Sequence, residues 1–149
     1  MRLIIFKIFI IHIIVFAACL AVKAQDVPLM VVVNTKGPVP DLTFSQLKSV
    51  LKGEKLRWKD GTKVVIALMK TNTPAGISTC KKIYNLSPND LNKLFLALVF
   101  QGKGEAPVFF NSVSELDAFI SQTPGAIGVI ESVPGNKERV IHIDGKESI

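Results

Sequence analysis

The chain has 149 residues, 48% of them hydrophobic, with 18 Lys and Arg against 12 Asp and Glu and only two cysteines. That length suits one domain with one core, and two cysteines exclude a disulfide-dense framework. Arg2, Lys7 and Lys23 all fall in a first stretch that holds no acid, so the formal net charge of +6 drops to about +3 beyond it, too little for a nucleic-acid footprint.

That first stretch reads as an export signal. Arg2 and Lys7 supply positive charge, residues 3–22 are almost unbroken apolar sequence, and Val22-Lys23-Ala24 offers a cleavage site before Gln25 and Asp26. Residues 1–24 are therefore assigned as a signal peptide and 25–149 as one domain, located in the periplasm or outside the cell. Two other readings stand beside this one: an uncleaved membrane anchor, since the apolar run is long enough to span, and a lipoprotein modified at Cys19. Beyond the signal only Cys80 remains, so the domain rests on its hydrophobic core and not on disulfides.

Residues 29–33 are apolar and largely β-branched and read as a buried strand. Residues 34–41 form a loop rich in Gly and Pro. Thr43 and Gln46 have capping-box spacing, Phe44, Leu47, Val50 and Leu51 share one helical face, and Gly53 ends that helix. A polar turn over 55–63 surrounds Trp58 and Asp60-Gly61, and 64–69 is the next strand. A loop at 71–74 leads into a helix over about 75–85. Ser87-Pro88-Asn89-Asp90 starts another, with an apolar stripe of Leu91, Leu94, Phe95, Leu98 and Val99 and a stop at Gly102. Residues 107–110 are extended. Ser112 and Glu115 cap a helix with Leu116, Phe119 and Ile120 inward. Pro124-Gly125 turns into a strand over 126–130 that has no polar side, so both its faces are covered. A turn at 134–137 precedes an alternating edge strand at 139–143, and the tail from about 144 is expected to be loose. Strands alternating with helices predict an α/β three-layer sandwich with a mixed sheet.

The side-chain inventory points away from catalysis. The one histidine beyond the signal, His142, falls on the expected edge strand and has no serine or cysteine partner to activate. Cys80 reads as a buried apolar thiol. No Cys or His spacing suits a metal, no cofactor motif is present, and Gly102-Lys103-Gly104 ends a helix and lacks the rest of a phosphate loop. The basic run Lys48, Lys52, Lys55, Arg57, Lys59, Lys63 is interrupted by Glu54 and Asp60. It reads as a solvated face, with an acidic partner or an anionic surface as the functional alternative.

Three segments carry a family resemblance. LKGEKLRWKDG (51–61), LFLALVFQGKGEAP (94–107) and PGAIGVI (124–130) are similar, in this order and spacing, to motifs of phosphate-type periplasmic substrate-binding proteins. Gly53, Trp58, Gly61, Gly102, Gly125 and Gly128 are the residues of these motifs with structural roles. The resemblance covers about residues 29–132 and implies one lobe of a type II periplasmic-binding-protein-like fold, a non-catalytic substrate-binding protein of phosphate ABC transporters, and no cofactor. In such proteins the anion is held by hydroxyls and by backbone N–H groups at helix starts. The matching stretch here places Lys70, Thr71, Asn72, Thr73, Ser78 and Thr79 around a ligand. It departs from the family's pattern: Lys70 stands where an Arg would be, Pro74-Ala75-Gly76 where Ser-Gly-Thr would be, and Cys80 and Val129 in place of aromatics. The partners implied are a small phosphate-like anion, a membrane transporter or sensor, and a second copy covering the face that a second lobe would cover. Nucleic acid is not among them. The alternative is a ligand-free interaction or sensory module that keeps the fold.

Overall fold

The apolar stretches near residues 30, 66 and 128 become the centre of a mixed sheet. The computed structural model describes residues 27–34, 41–131 and 139–149. The expected signal, the middle of the 34–41 loop and the 134–137 turn lie outside them. In chain order the elements are β1 (Met30–Val33), α1 (Phe44–Leu51), β2 (Val65–Met69), α2 (Pro74–Thr79), a π-helical turn (Cys80–Tyr84), α3 (Pro88–Phe100), β3 (Val108–Phe110), α4 (Val113–Gln122), β4 (Ala126–Ile130) and β5 (Val140–Ile141). The sheet runs β3-β2-β4-β1-β5. Strands β3, β2 and β4 are parallel, and β1 is antiparallel to both β4 and β5.

Side-chain alternation assigns the layers. A Cβ at Gly128 would lie 2.5 Å from Ile120 Cδ1 and 2.9 Å from Leu116 Cδ2, so this face of β4 lies under α4. Ala67 and Val32, its partners across the sheet, share that face. The next row, Val129, Leu68 and Phe109, points the other way. There Phe109 meets Phe95 of α3 with ring centroids 6.1 Å apart, Phe95 meets Tyr84 of the π turn at 5.6 Å, and the Tyr84 hydroxyl donates to the Leu51 carbonyl of α1 at 2.8 Å. The result is the expected three-layer α/β sandwich, and all five residues of β4 are buried.

The caps form as read. Thr43 and Gln46 make a reciprocal capping box on α1, and Ser87 and Ser112 cap α3 and α4 through the N–H groups of Asp90 and Glu115. Gly53 and Gly102 end α1 and α3 at φ +72° and +63°.

Four expectations are corrected. The helix over 75–85 is α-helical only to Thr79 and then widens into the π turn, ending at Asn85 with φ +54°. Val99 is 43% exposed, so the buried part of the α3 stripe is narrower than expected and centres on Leu91 and Phe95. Strand pairing at 139–143 is confined to Val140–Ile141 and a bridge at Ile143; Arg139 instead forms a two-oxygen ion pair with Asp117 of α4, at 2.7 Å to each oxygen. The tail is not loose: Leu29 and Ile149 exchange backbone hydrogen bonds at 2.9 and 3.2 Å, Lys82 Nζ donates to the Ile149 carbonyl, and Asp144 Oδ2 accepts from the Phe44 N–H.

Candidate ligand-binding site

Strand β2 ends at Met69 and the chain turns at once into α2. The Lys70 N–H donates to the Phe110 carbonyl at 2.9 Å, which fastens this turn to the end of β3. The Lys70 carbonyl accepts from both the N–H and the hydroxyl of Thr73, at 2.9 and 2.8 Å. Thr73 Oγ1 in turn accepts from the Gly76 N–H at 3.1 Å and so caps α2. Gly76 closes the arrangement: a Cβ there would sit 2.0 Å from the Lys70 carbonyl oxygen, so no larger residue fits without moving the turn.

The structure brings Lys70, Thr71, Asn72 and Thr73 together at the carboxyl ends of β2 and β3. Lys70 and Asn72 are exposed and Thr71 is half-buried. Lys70 has no acidic partner among the described residues, and the Thr71 and Asn72 N–H groups make no hydrogen bond there. This leaves one ammonium and two backbone donors for an anion. Thr73 is already used both as donor and as acceptor. Pro74 at the first helical position carries no N–H. Ser78 is half-buried on α2. Thr79 is only 2% exposed and its hydroxyl has no partner among the described residues, so it faces the core and is out of reach of a dissolved anion.

Sequence reading missed two neighbours of this loop. Asn111 and Ser112 follow β3 and stand at the same end of the sheet, a consequence of β2–β3 pairing. They open α4, but its start already holds an acid: Glu115 Oε2 accepts from the Asn111 N–H at 3.3 Å, and Ser112 Oγ accepts from the Glu115 N–H at 3.3 Å. A carboxylate there takes the place that an anion would take.

The remaining motif residues work at the opposite end. Trp58 Nε1 donates to the Gly125 carbonyl at 2.9 Å, Asp60 Oδ1 accepts from the Thr62 N–H, and Gly61 and Gly125 adopt φ +86° and +77°. Hydrogen bonds from Thr62 hold the exposed Asp60 carboxyl below the usual range. A cavity of about 290 Å³ opens beside Trp58, Gln46 and Gly125 at the amino ends of β2 and β4. His142 is exposed, and its carbonyl accepts from Leu42 N–H. Cys80 is buried, and that burial raises its thiol pKa. Among the described residues no three His, Cys, Asp or Glu side chains converge on a metal position.

No known family model matches the chain and no curated protein matches it by sequence. Solved structures do share its fold. An ABC-type phosphate transport receptor from Vibrio cholerae superposes with a TM-score of 0.63 at 19% identity, over 82% of this chain and 48% of that one. A phosphate ABC transporter substrate-binding protein with bound phosphate from Clostridium perfringens gives 0.59 at 16% identity, over 81% and 46%. PstS from Borrelia burgdorferi gives 0.51 at 20% identity, over 69% and 40%. The chain thus has the periplasmic-binding-protein fold in about one lobe and spans less than half the length of each of these proteins.

Proposed function

We propose that the chain is an exported, non-catalytic binding module that takes a small phosphate-like oxyanion at the loop after β2. The observation behind this reading is a coincidence of fold and place. The fold is shared with phosphate receptors, one of them solved with phosphate bound. The free ammonium of Lys70 and the unused N–H groups of Thr71 and Asn72 stand at the carboxyl ends of parallel strands, where open α/β sheets take ligands. In this reading Lys70 supplies charge, Thr71 and Asn72 donate, Ser78 adds a hydroxyl from α2, and Thr73 holds the loop in shape. The signal at 1–24 exports the chain, with lipid attachment at Cys19 as the alternative, and a membrane transporter or sensor is the partner. A second copy would cover the face that another lobe covers in longer proteins.

Thermal melting tests this. A ligand that binds only the folded state stabilises it by about 2.7 kcal/mol at a hundredfold excess over Kd. Millimolar phosphate is expected to raise the melting temperature, and Lys70→Ala is expected to abolish most of that rise without changing the melt in its absence. One observation favours a second reading, a ligand-free interaction module: Pro74, Thr73 and Glu115 together remove or occupy most of the donors that an anion needs. No melting shift with phosphate or sulfate would leave that reading standing.

A further inference from the structure

The anion loop occupies the carboxyl ends of the parallel strands. At their amino ends, a groove of about 350 Å³ runs between the 55–63 turn and the 102–106 loop. It is lined by Leu56 and Val108 together with Lys55, Arg57, Lys63 and Lys103. Leu56 and Val108 are 53% and 39% exposed. Helix α3 ends two residues before Gly102, another groove residue, and there Val99 and Phe100 are 43% and 82% exposed, with Leu96 one turn back at 58%. Of the six large exposed hydrophobic residues among those described, two line the groove and three more fall on the last turns of the helix that leads into it. A solvated face would not gather them.

The charge is equally one-sided. Glu105 is the only acid among the described residues that line the groove, and it pairs with Lys63. Lys55, which lies over the Trp58 ring, and Arg57 and Lys103 have no acidic partner among the described residues. Strand β3, whose first residue Val108 forms part of the wall, is the open edge of the sheet. We propose that this groove docks an extended acidic segment of a partner polypeptide, one that sets carboxylates beside large apolar side chains. Complementary charge gives recognition and rate, and the buried apolar contacts give affinity. A second copy of this chain that met the groove with its own would bring like charge onto like charge, and a flat lipid surface would leave the groove unfilled. Because the groove lies at the other end of the sheet, the proposal is independent of the anion reading.

Selection of phage-displayed random peptides on the full chain tests it. Peptides rich in Asp, Glu and aromatic residues are expected to be enriched. A synthetic copy of the best should bind at least tenfold more weakly to Lys103→Glu and to Phe100→Ser, and more weakly as salt rises. Both side chains are exposed and make no hydrogen bond among the described residues, so each variant should keep the wild-type melt and any phosphate response. Absence of acidic peptides from the selected pool, or binding indifferent to both substitutions, overturns the proposal. So does tighter binding of the chain to phosphatidylglycerol vesicles than to the peptide, which would assign the face to lipid.

Discussion

Gly125 meets two demands at once. Its φ of +77° lies in the left-handed region, and a Cβ there would stand 2.1 Å from the Lys63 carbonyl oxygen. Gly61 meets only the first: its φ is +86°, but nothing lies within 4 Å of where a Cβ would be. Gly61→Ala should therefore cost about 1 kcal/mol, the backbone penalty alone. Gly125→Ala should cost about 3 kcal/mol, since backbone must also move and the Trp58 hydrogen bond goes with it. Urea unfolding of the two variants makes the comparison, and equal losses would refute the close-approach argument. Both glycines could be recognised in the sequence as turn formers, but not ranked, because the approach of Lys63 is a fact of tertiary packing. The same holds for Thr79: beside Ser78 it reads as another polar group near a helix start, and only the helix's rotation onto the sheet shows that it is buried.

At the scale of elements, short-range chemistry was legible and long-range registry was not. The caps at Thr43, Ser87 and Ser112 and the glycine stops at 53 and 102 follow from side chains that satisfy backbone groups within a few residues. The π turn escaped because Cys80, Ile83 and Tyr84 fit one face of an α-helix equally well. The meeting of Asn111 and Ser112 with Lys70 escaped because it depends on which strands are neighbours. The tail from about 144 was expected to be loose, whereas its order comes from pairing with Leu29 at the other end of the described chain. Helix α2 offers a test of the local argument. The Thr73 hydroxyl bonds the Lys70 carbonyl and the Gly76 N–H together. Thr73→Ala should lower stability by about 1 kcal/mol, and Thr73→Ser, which keeps both bonds, should restore most of it. A Ser variant as unstable as the Ala variant would show that the threonine methyl, not the hydroxyl, matters.

Over the whole molecule, the alternation of strands and helices was enough to give a sandwich with β4 buried on both faces; the strand order was beyond it. One side chain links much of the layer opposite α4. Tyr84 is 5% exposed, donates to the Leu51 carbonyl of α1 and stacks edge-on against Phe95 of α3. Burial pushes its phenol far above the ordinary value near 10, the nearby Cys80 group adds to the shift, and burial raises the Cys80 thiol as well. Both groups keep their protons in the folded chain to a higher pH than in the unfolded chain. The unfolded chain therefore releases them first, and stability is full below the unfolded pKa values and falls as pH rises beyond them. The melting temperature should hold steady from neutral pH to about pH 8.5 and fall steeply above about pH 10, the ordinary thiol and phenol range. Tyr84→Phe separates the two contributions. It leaves the Leu51 carbonyl without its donor, so it should cost about 1 kcal/mol at neutral pH. It also removes the phenol's ionisation, so its stability should fall less steeply in alkali and approach that of the wild type. Parallel curves for the two proteins would mean that the alkaline loss originates elsewhere than in the buried link among α1, the π turn and α3.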